Sequence, residues 1–224
     1  MASDITVERK DGLAIVSLNR PDKLNALTLE MRVELMDSFR RMHTDPEVRA
    51  VLLRAEGRAF CAGADISTMG KDDVWGDRAR LHRAHQMILS IYNCEKPVVA
   101  AVRGPAVGIG LSMALACDVL LLSETAKLGQ VFRKIGLAPD GGAAFFLQNL
   151  IGRQRATDLA FSARLVPAQE ALSLGLASQV HPDDALDDAA AEYAADLAAG
   201  PTFALAGAKR LMRAALQPSL ERLL

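Results

Sequence analysis

Hydrophobic and polar positions alternate in two short runs near the start of the chain, ITVERK and LAIVSL, which meet at Asp11-Gly12. Alternation with a period of two is typical of strands, and an Asp-Gly pair between two such runs predicts a hairpin. A helical period follows from about Thr28 to His43, with Thr28 placed to cap the helix. The chain is therefore predicted to open with a strand–strand–helix unit.

Strand-like and helical patterns continue to alternate through the first half of the chain. Helical patterns cover about 73–92 and the short run LSMALAC. The strand-like runs around them are VRAVLLRA, PVVAAV and DVLLLS. This alternation favours an α/β fold.

The pattern changes after GLAPDGG, residues 136–142. Alanine-rich helical segments fill 143–217, where LASQV near 176–180 is the one strand-like run. No low-complexity linker separates the two halves. We therefore predict one α/β domain with a helical C-terminal part that packs on it.

Length and charge narrow the function classes. The chain has 224 residues, of which 50% are hydrophobic, so a folded domain is expected and disorder is not. The formal net charge is −1 and the pI is about 6.4, which gives no electrostatic argument for binding nucleic acid or an anionic membrane.

The cysteines and the apolar segments bear on the compartment. Cys61, Cys94 and Cys117 form no CxxC pair and are odd in number, so neither a disulfide framework nor a zinc site is indicated. The N-terminus shows no apolar signal region. The apolar stretch 97–122 contains the charged residues Arg103 and Asp118, so it is interpreted as buried core elements and not as a membrane span. A reducing, cytoplasmic location is the expectation.

Two glycine-containing loops, FCAGADI (60–66) and GPAVGIG (104–110), each lie between a strand and a helix. Glycine lets backbone approach a ligand closely, and helix N-termini offer free N–H groups. Two such groups aimed at one oxygen would form an oxyanion hole. The alternative is that both loops are plain connections and Asp65 is a helix cap.

Four ordered segments carry a resemblance to a known family: LNRPDKLNAL, AFCAGADI, KPVVAAVRGPAVGIGLSMALACD and GLAPDGG. They resemble the crotonase family of enoyl-CoA hydratases and isomerases, over about residues 5–217. The resemblance implies an α/β fold built as a spiral of ββα units. It places the crotonase-like core at 1–200 and a shortened C-terminal helical region at 201–224.

The resemblance also implies a ligand and an oxyanion hole. Family members bind acyl-CoA thioesters and stabilise an enolate with two backbone N–H groups, which correspond here to Ala64 and Ile109. Lys23 is expected to reach a CoA phosphate, with an exposed loop lysine as the alternative. The full set of implied substrate contacts is Lys23, Leu24, Ala62, Ala64, Asp65, Ile66, Ile109 and Phe132.

Two departures from the family pattern argue against hydration. Hydratases of the family use two glutamates around a water, and these positions hold Ser112 and Phe132 here. Hydration moves protons at two separate atoms, and neither side chain performs acid/base chemistry at neutral pH. The pattern is therefore that of a poor hydratase.

Asp140 occupies the position of the single carboxylate in isomerases that this family includes. One carboxylate suffices to move a proton from C2 to C4, and apolar surroundings would raise its pKa. The expected function is an acyl-CoA isomerase, and the alternatives are an enoyl-CoA hydratase-like lyase or a non-catalytic acyl-CoA binding protein. The plain reading of Pro-Asp-Gly, a turn, also stays open.

The resemblance implies no metal and no cofactor beyond the CoA moiety of the substrate, and a homotrimer or hexamer. Family members usually continue past AKRLMRAAL, so the assembly and CoA binding are expected to be weaker if the chain is shortened. No nucleic-acid or membrane partner is expected.

Three other patterns suggest chemistry but are disfavoured. Ser112, Asp140 and His181 follow the order of a hydrolase triad, but the serine falls inside a helical run and not directly after a strand. GIGLSM lacks the third glycine of a dinucleotide fingerprint. His82 and His85 have metal-ligand spacing but no acidic partner in phase, so a solvated helix face is expected.

Overall fold

The computed structural model describes residues 3–68 and 74–216 of the chain. The strands within these residues are β1 (Ile5–Lys10), β2 (Leu13–Leu18), β3 (Ala50–Ala55), β4 (Val98–Val102), β5 (Pro105–Val107), β6 (Val119–Ser123), β7 (Lys127–Gly129), β8 (Leu165–Pro167) and β9 (Gln179–His181). The α-helices are α1 (Leu29–Thr44), α2 (Val74–Tyr92), α3 (Ile109–Leu115), α4 (Ala143–Ser162), α5 (Ala168–Leu174), α6 (Leu186–Ala199) and α7 (Thr202–Ala214).

A six-stranded sheet in the order β1-β2-β3-β4-β6-β9 forms the centre of the fold. Only its first pair is antiparallel; the remaining neighbours run parallel. The predicted hairpin is confirmed, because Asp11 and Gly12 both take positive φ, 50° and 81°. Two positive φ values in a two-residue turn match the twist of the flanking strands.

The predicted cap of the first helix is confirmed as well. Thr28 is extended, and its hydroxyl accepts a hydrogen bond from the amide of Met31 at 3.2 Å. This bond satisfies one of the free N–H groups of the first turn of α1.

A three-stranded sheet, β5-β7-β8, was not predicted from the sequence. GPAVGIG was expected to be a loop throughout, but its residues Pro105–Val107 form β5. The expectation of one strand-like run after residue 142 was wrong too, because Leu165–Pro167 pairs with β7. Strands of three residues are too short to show a period of two, so their pairing is set by tertiary contacts.

The helical C-terminal part packs on the central sheet, as predicted. α6 places Leu186, Ala190, Ala194 and Ala198 against one sheet face, on which Leu13, Ala50, Leu52, Val99, Ala101 and Leu121 lie. The small alanine side chains on the helix allow it to approach the sheet closely. The opposite face carries the larger core, which includes residues of α1, α2, α3 and α4.

One buried lysine fastens α7 to the rest of the fold. Lys209 is 8% exposed, and its Nζ donates to the carbonyl oxygen of Lys96 at 2.9 Å and to Asp118 at 2.5 Å. Arg213 also reaches Asp118, at 3.2 Å. Of the predicted C-terminal region 201–224, the structure describes residues 201–216, and residues 217–224 lie outside the described part of the chain.

The described part of the chain contains no helix that is both long and apolar enough to span a membrane.

Candidate active site

The two glycine loops predicted from the sequence lie side by side. The amide of Cys61 donates to the carbonyl oxygen of Pro105, and the amide of Val107 donates to that of Cys61, each at 3.0 Å. The contact is tight, because a Cβ atom added to Gly110 would lie 2.6 Å from the Cys61 carbonyl oxygen. Glycine at 110 therefore lets the start of α3 approach the loop 60–66.

The backbone N–H of Ala64 points away from the hydrogen bond that joins its loop to Leu27. The carbonyl oxygen of Gly63 accepts from the amide of Leu27 at 2.8 Å. In a trans peptide the C=O and the next N–H point in opposite directions, so the Ala64 N–H faces the other side. Among the described residues it donates no hydrogen bond.

The N–H of Ile109 is available for the same reason. Ile109 is the first residue of α3, and the carbonyl oxygen of Gly108 accepts from Leu111 at 3.1 Å and from Ser112 at 3.2 Å. The Ile109 N–H therefore points out of the helix N-terminus, and it finds no acceptor within the part of the chain that is described. Ala64 and Ile109, the two predicted oxyanion donors, are thus both unused.

The segment of Asp140 packs against the first turn of α3. Its backbone carbonyl oxygen accepts a hydrogen bond from the Oγ of Ser112 at 3.2 Å. A Cβ atom added to the following residue, Gly141, would lie 3.3 Å from the side chain of Ile109. The segment that carries the predicted carboxylate therefore packs against the residues of α3 that include one of the predicted oxyanion donors.

Burial sets the ionisation of Asp140. Its Oδ1 atom is buried and has no hydrogen-bond partner. Loss of solvent raises the pKa of the Asp140 carboxyl, and the nearby His85 and Arg32 oppose that rise only in part. A carboxylate whose pKa moves toward neutrality is suited to accept and return a proton.

The sequence did not predict that His85 and Arg32 act on the charge of Asp140. His82 and His85 were expected to lie on a solvated helix face. This prediction is confirmed for His82, which is exposed, and was wrong for His85, whose Nε2 atom is buried. Burial lowers the pKa of His85. Helical periodicity could have indicated that both side chains point toward the core. His85 precedes the core residue Ile88 by three positions, and Arg32 precedes the core residue Leu35 by three positions.

The two positions at which hydratases keep glutamates are closed by other contacts. Ser112 is fully buried in α3, and its hydroxyl donates to the backbone carbonyl oxygens of Gly108 and Asp140. Phe132 is 8% exposed, and its ring lies against Gly108, where an added Cβ would be 3.8 Å from the ring. An apolar wall therefore adjoins the N-terminus of α3.

The segments predicted to contact CoA are joined to each other. The amide of Ala62 donates to the carbonyl oxygen of Leu24 at 2.9 Å, and Lys23 is exposed at the end of a short 3-10 turn, Pro21–Lys23. Ile66 is 59% exposed. These residues form one edge of the loop that carries Ala64.

Asp65 has structural partners of its own. Its carboxylate accepts from the amide of Ser67 at 3.0 Å and pairs with Arg20 at 2.8 Å. Hydrogen bonds from Ser67 and Arg20 lower the pKa of Asp65. The carboxylate therefore caps the 3-10 turn Ile66–Thr68, in line with the alternative reading of Asp65 as a cap.

Within the described residues, no group of three or more His, Cys, Asp or Glu side chains is arranged to hold a metal ion.

Comparison with known proteins identifies the family. The family model described as enoyl-CoA hydratase/isomerase matches residues 8–224. The chain belongs to the enoyl-CoA hydratase/isomerase family. This confirms the crotonase resemblance, and the crotonase-like α/β fold is confirmed by solved structures of the family.

Members of the enoyl-CoA hydratase/isomerase family similar to this chain carry different activity names. A probable enoyl-CoA hydratase of Rhodobacter capsulatus is 36% identical over 96% of this chain and 83% of its own length. A 1,2-epoxyphenylacetyl-CoA isomerase of Escherichia coli is 33% identical over 94% and 82%. A solved enoyl-CoA hydratase of Mycobacterium avium subsp. paratuberculosis is 38% identical, with a TM-score of 0.90 over 99% of this chain and 91% of that one.

Proposed function

We propose that this protein is an acyl-CoA isomerase that moves a double bond by transferring a proton from C2 to C4. The observation that carries the proposal is the position of Asp140, whose buried Oδ1 atom has no hydrogen-bond partner and whose neighbour Gly141 lies against the side chain of Ile109. The absence of glutamate at Ser112 and Phe132 favours isomerisation over hydration.

The proposed reaction has two steps. Asp140 takes a proton from C2, and the negative charge that develops on the thioester oxygen is stabilised by the N–H groups of Ala64 and Ile109. Asp140 then returns the proton to C4, which places the double bond between C2 and C3. Oxyanion donors of this kind each supply about 3 kcal/mol of transition-state stabilisation.

Binding of a CoA thioester is part of the proposal. The relatives named above are described as acting on CoA thioesters, and the linked segments of Lys23–Leu24 and Ala62–Ile66 offer an exposed lysine beside the proposed oxyanion hole. Asp65 is already paired with Arg20, so we assign its contribution to holding this loop. The reaction requires no cofactor beyond the CoA moiety.

A hydratase-like activity is the second candidate, and it has one observation in its favour. His85 supplies a second titratable side chain next to Asp140, and hydration needs two. The names of the similar relatives include both activities. The non-catalytic acyl-CoA binder is the third candidate, and the same experiment separates all three.

The decisive experiment follows a 3-enoyl-CoA in D2O, with deuterium uptake and 2-enoyl-CoA formation measured together. Wild type should form the 2-enoyl product, and Asp140→Asn should lose at least about 100-fold in rate, the size of a general acid/base contribution. Asp184→Asn, at an exposed aspartate, is the matched control and should keep full activity. A 3-hydroxyacyl product from 2-enoyl-CoA without isomerisation would instead make the protein a hydratase, and binding with no exchange at C2 would make it a binder.

A further inference from the structure

Arg32 is a buried cation with very few partners. It lies on α1 and is 4% exposed. One guanidinium nitrogen reaches the carbonyl oxygen of Leu27 at a long 3.4 Å, and the Nε atom is buried with no hydrogen-bond partner. A buried guanidinium is costly unless an opposite charge compensates it, so the structure must provide that charge nearby.

The opposite charge that acts most strongly on Arg32 is the carboxylate of Asp140. No nitrogen of Arg32 lies within 4.0 Å of an Asp140 carboxylate oxygen, so the two groups do not form a direct ion pair. The Nε atom of Arg32 and the Oδ1 atom of Asp140 are both buried and lack a hydrogen-bond partner. Opposite charges on groups that are buried or half-buried act on each other more strongly than they would in water.

The other ionisable groups around the pair do not replace Arg32. His85, on α2, faces Asp140, and burial lowers its pKa, which favours the neutral ring. Burial raises the pKa of the Cys61 thiol to about 12, so it carries no charge at neutral pH. Asp65 and Arg80 also act on Arg32, with opposite signs.

We propose that Arg32 is a positioning residue whose buried positive charge keeps the Asp140 carboxylate ionised until that carboxylate takes the substrate proton. This inference rests on the proposed function. Desolvation alone drives Asp140 toward its protonated form, and a protonated carboxyl cannot act as a base. Arginine suits the role because its charge persists through the whole physiological pH range.

The test replaces Arg32 with methionine, which keeps length and apolar stem but removes the charge. The ionisation of Asp140 is measured directly, by carbon-13 NMR of aspartate carboxyl groups in the ligand-free protein. The Asp140 resonance is the one that disappears in Asp140→Asn. The expected result is an Asp140 pKa about one unit or more higher in Arg32→Met than in wild type.

The pH dependence of kcat/KM supplies the second readout. Its acid limb should move upward with the Asp140 pKa, so that Arg32→Met loses about tenfold near the wild-type midpoint and recovers at higher pH. Arg32→Lys should keep the wild-type limb. A purely structural role would lower kcat/KM at every pH and leave the limb in place, which would overturn the inference.

Two further variants keep the test conclusive. Arg40→Met removes the same charge from an exposed position of the same helix and should leave the Asp140 resonance unchanged. If Arg32→Met fails to fold, Arg32→Gln removes the charge while keeping a donor for Leu27. The NMR measurement needs no turnover, so it separates the two proposals. If wild type is inactive but the Asp140 pKa still rises in Arg32→Met, the isomerase proposal is refuted and the electrostatic role of Arg32 stands. If the Asp140 pKa is the same in Arg32→Met and wild type, only the role of Arg32 is refuted.

Discussion

The hydroxyl of Ser112 donates a hydrogen bond to the backbone carbonyl oxygen of Asp140 at 3.2 Å. This bond joins the first turn of α3, which presents the Ile109 N–H, to the segment that presents the proposed acid/base. Neither residue belongs to a hydrolase triad: Ser112 holds the Asp140 backbone, and His181 bonds Gln179 on β9. The relative position of Asp140 and the first turn of α3 therefore depends on one serine hydroxyl.

Replacement of Ser112 by alanine should therefore weaken the proposed activity without abolishing it. We expect kcat to fall on the order of tenfold with little change in KM, because small displacements of a catalytic group are costly. Stability should drop by about 1 kcal/mol, the usual net contribution of one hydrogen bond. Steady-state kinetics and urea denaturation measure both.

Ser173→Ala is the matched control for Ser112→Ala. Ser173 is exposed on α5 and donates to a backbone oxygen of its own helix, that of Gln169, at 2.9 Å. It should leave kinetics unchanged. Complete loss of activity in Ser112→Ala, with the fold intact, would contradict a positioning role and would revive the nucleophile reading.

Gly110→Ala should disrupt both glycine loops at once. The added methyl group would lie 2.6 Å from the Cys61 carbonyl oxygen and 2.7 Å from its Cβ, so α3 must move away from the loop 60–66. We expect a loss of stability of about 2 kcal/mol, in the range of overpacked cores, and a separation of the two proposed oxyanion donors. Thermal unfolding and the rate of deuterium exchange at C2 report the two effects.

The contrasting substitution is Gly207→Ala. Gly207 lies inside α7, and an added Cβ would meet nothing within 4 Å. Alanine there should raise stability by about 0.5–1 kcal/mol through helix propensity. If Gly110→Ala and Gly207→Ala changed stability by the same amount, the tight contact at Gly110 would be contradicted.

The pH dependence of stability should reveal the burial of Asp140. Because the folded state raises the pKa of this carboxyl above 3.8, its contribution to stability is present below pH 3.8 and is lost as the pH rises through the folded pKa. Asp140→Asn avoids that loss. The raised pKa already includes the attraction of Arg32, so the cost of burying the carboxylate outweighs the loss of that attraction. The variant should therefore melt at a higher temperature than wild type near pH 7, and the difference should vanish near pH 3.

Differential scanning calorimetry across pH 3–8 checks this prediction, with Asp184→Asn as the exposed control. A variant that is less stable than wild type at neutral pH would mean that the folded state stabilises the ionised carboxylate. Greater stability together with lost activity would fit the general trade-off between stability and function at catalytic sites.

Asp118 should prove important for stability because it compensates the buried charge of Lys209. In Asp118→Asn, Lys209 stays 8% exposed without its counter-charge, which costs about 3 kcal/mol. The double variant Asp118→Asn/Lys209→Met removes both charges and should recover part of that loss. Urea denaturation of the single and double variants measures the coupling, and strict additivity would contradict it.

Much of the fold was readable in short stretches of sequence. The hairpin at Asp11-Gly12 and the cap at Thr28 depend on neighbouring residues alone, so a local pattern predicts them. The three-residue strands β5, β7 and β8 depend on partners distant in the chain, and no local period announces them. The presence of a local pattern thus decided whether the sequence predicted an element.

The candidate site divides in the same way. The sequence by itself determined the glycine loops and the carboxylate in GLAPDGG, because each is a property of a few consecutive residues. The choice of Ala64 and Ile109 as donors came from the family resemblance, and the structure showed that their amides are unused. Only the tertiary structure decided that His85 and Arg32 act on the charge of Asp140, since α1 and α2 are distant from Asp140 in the chain. A charge acts through space, so the ionisation of Asp140 is a property of the fold and not of the motif that contains it.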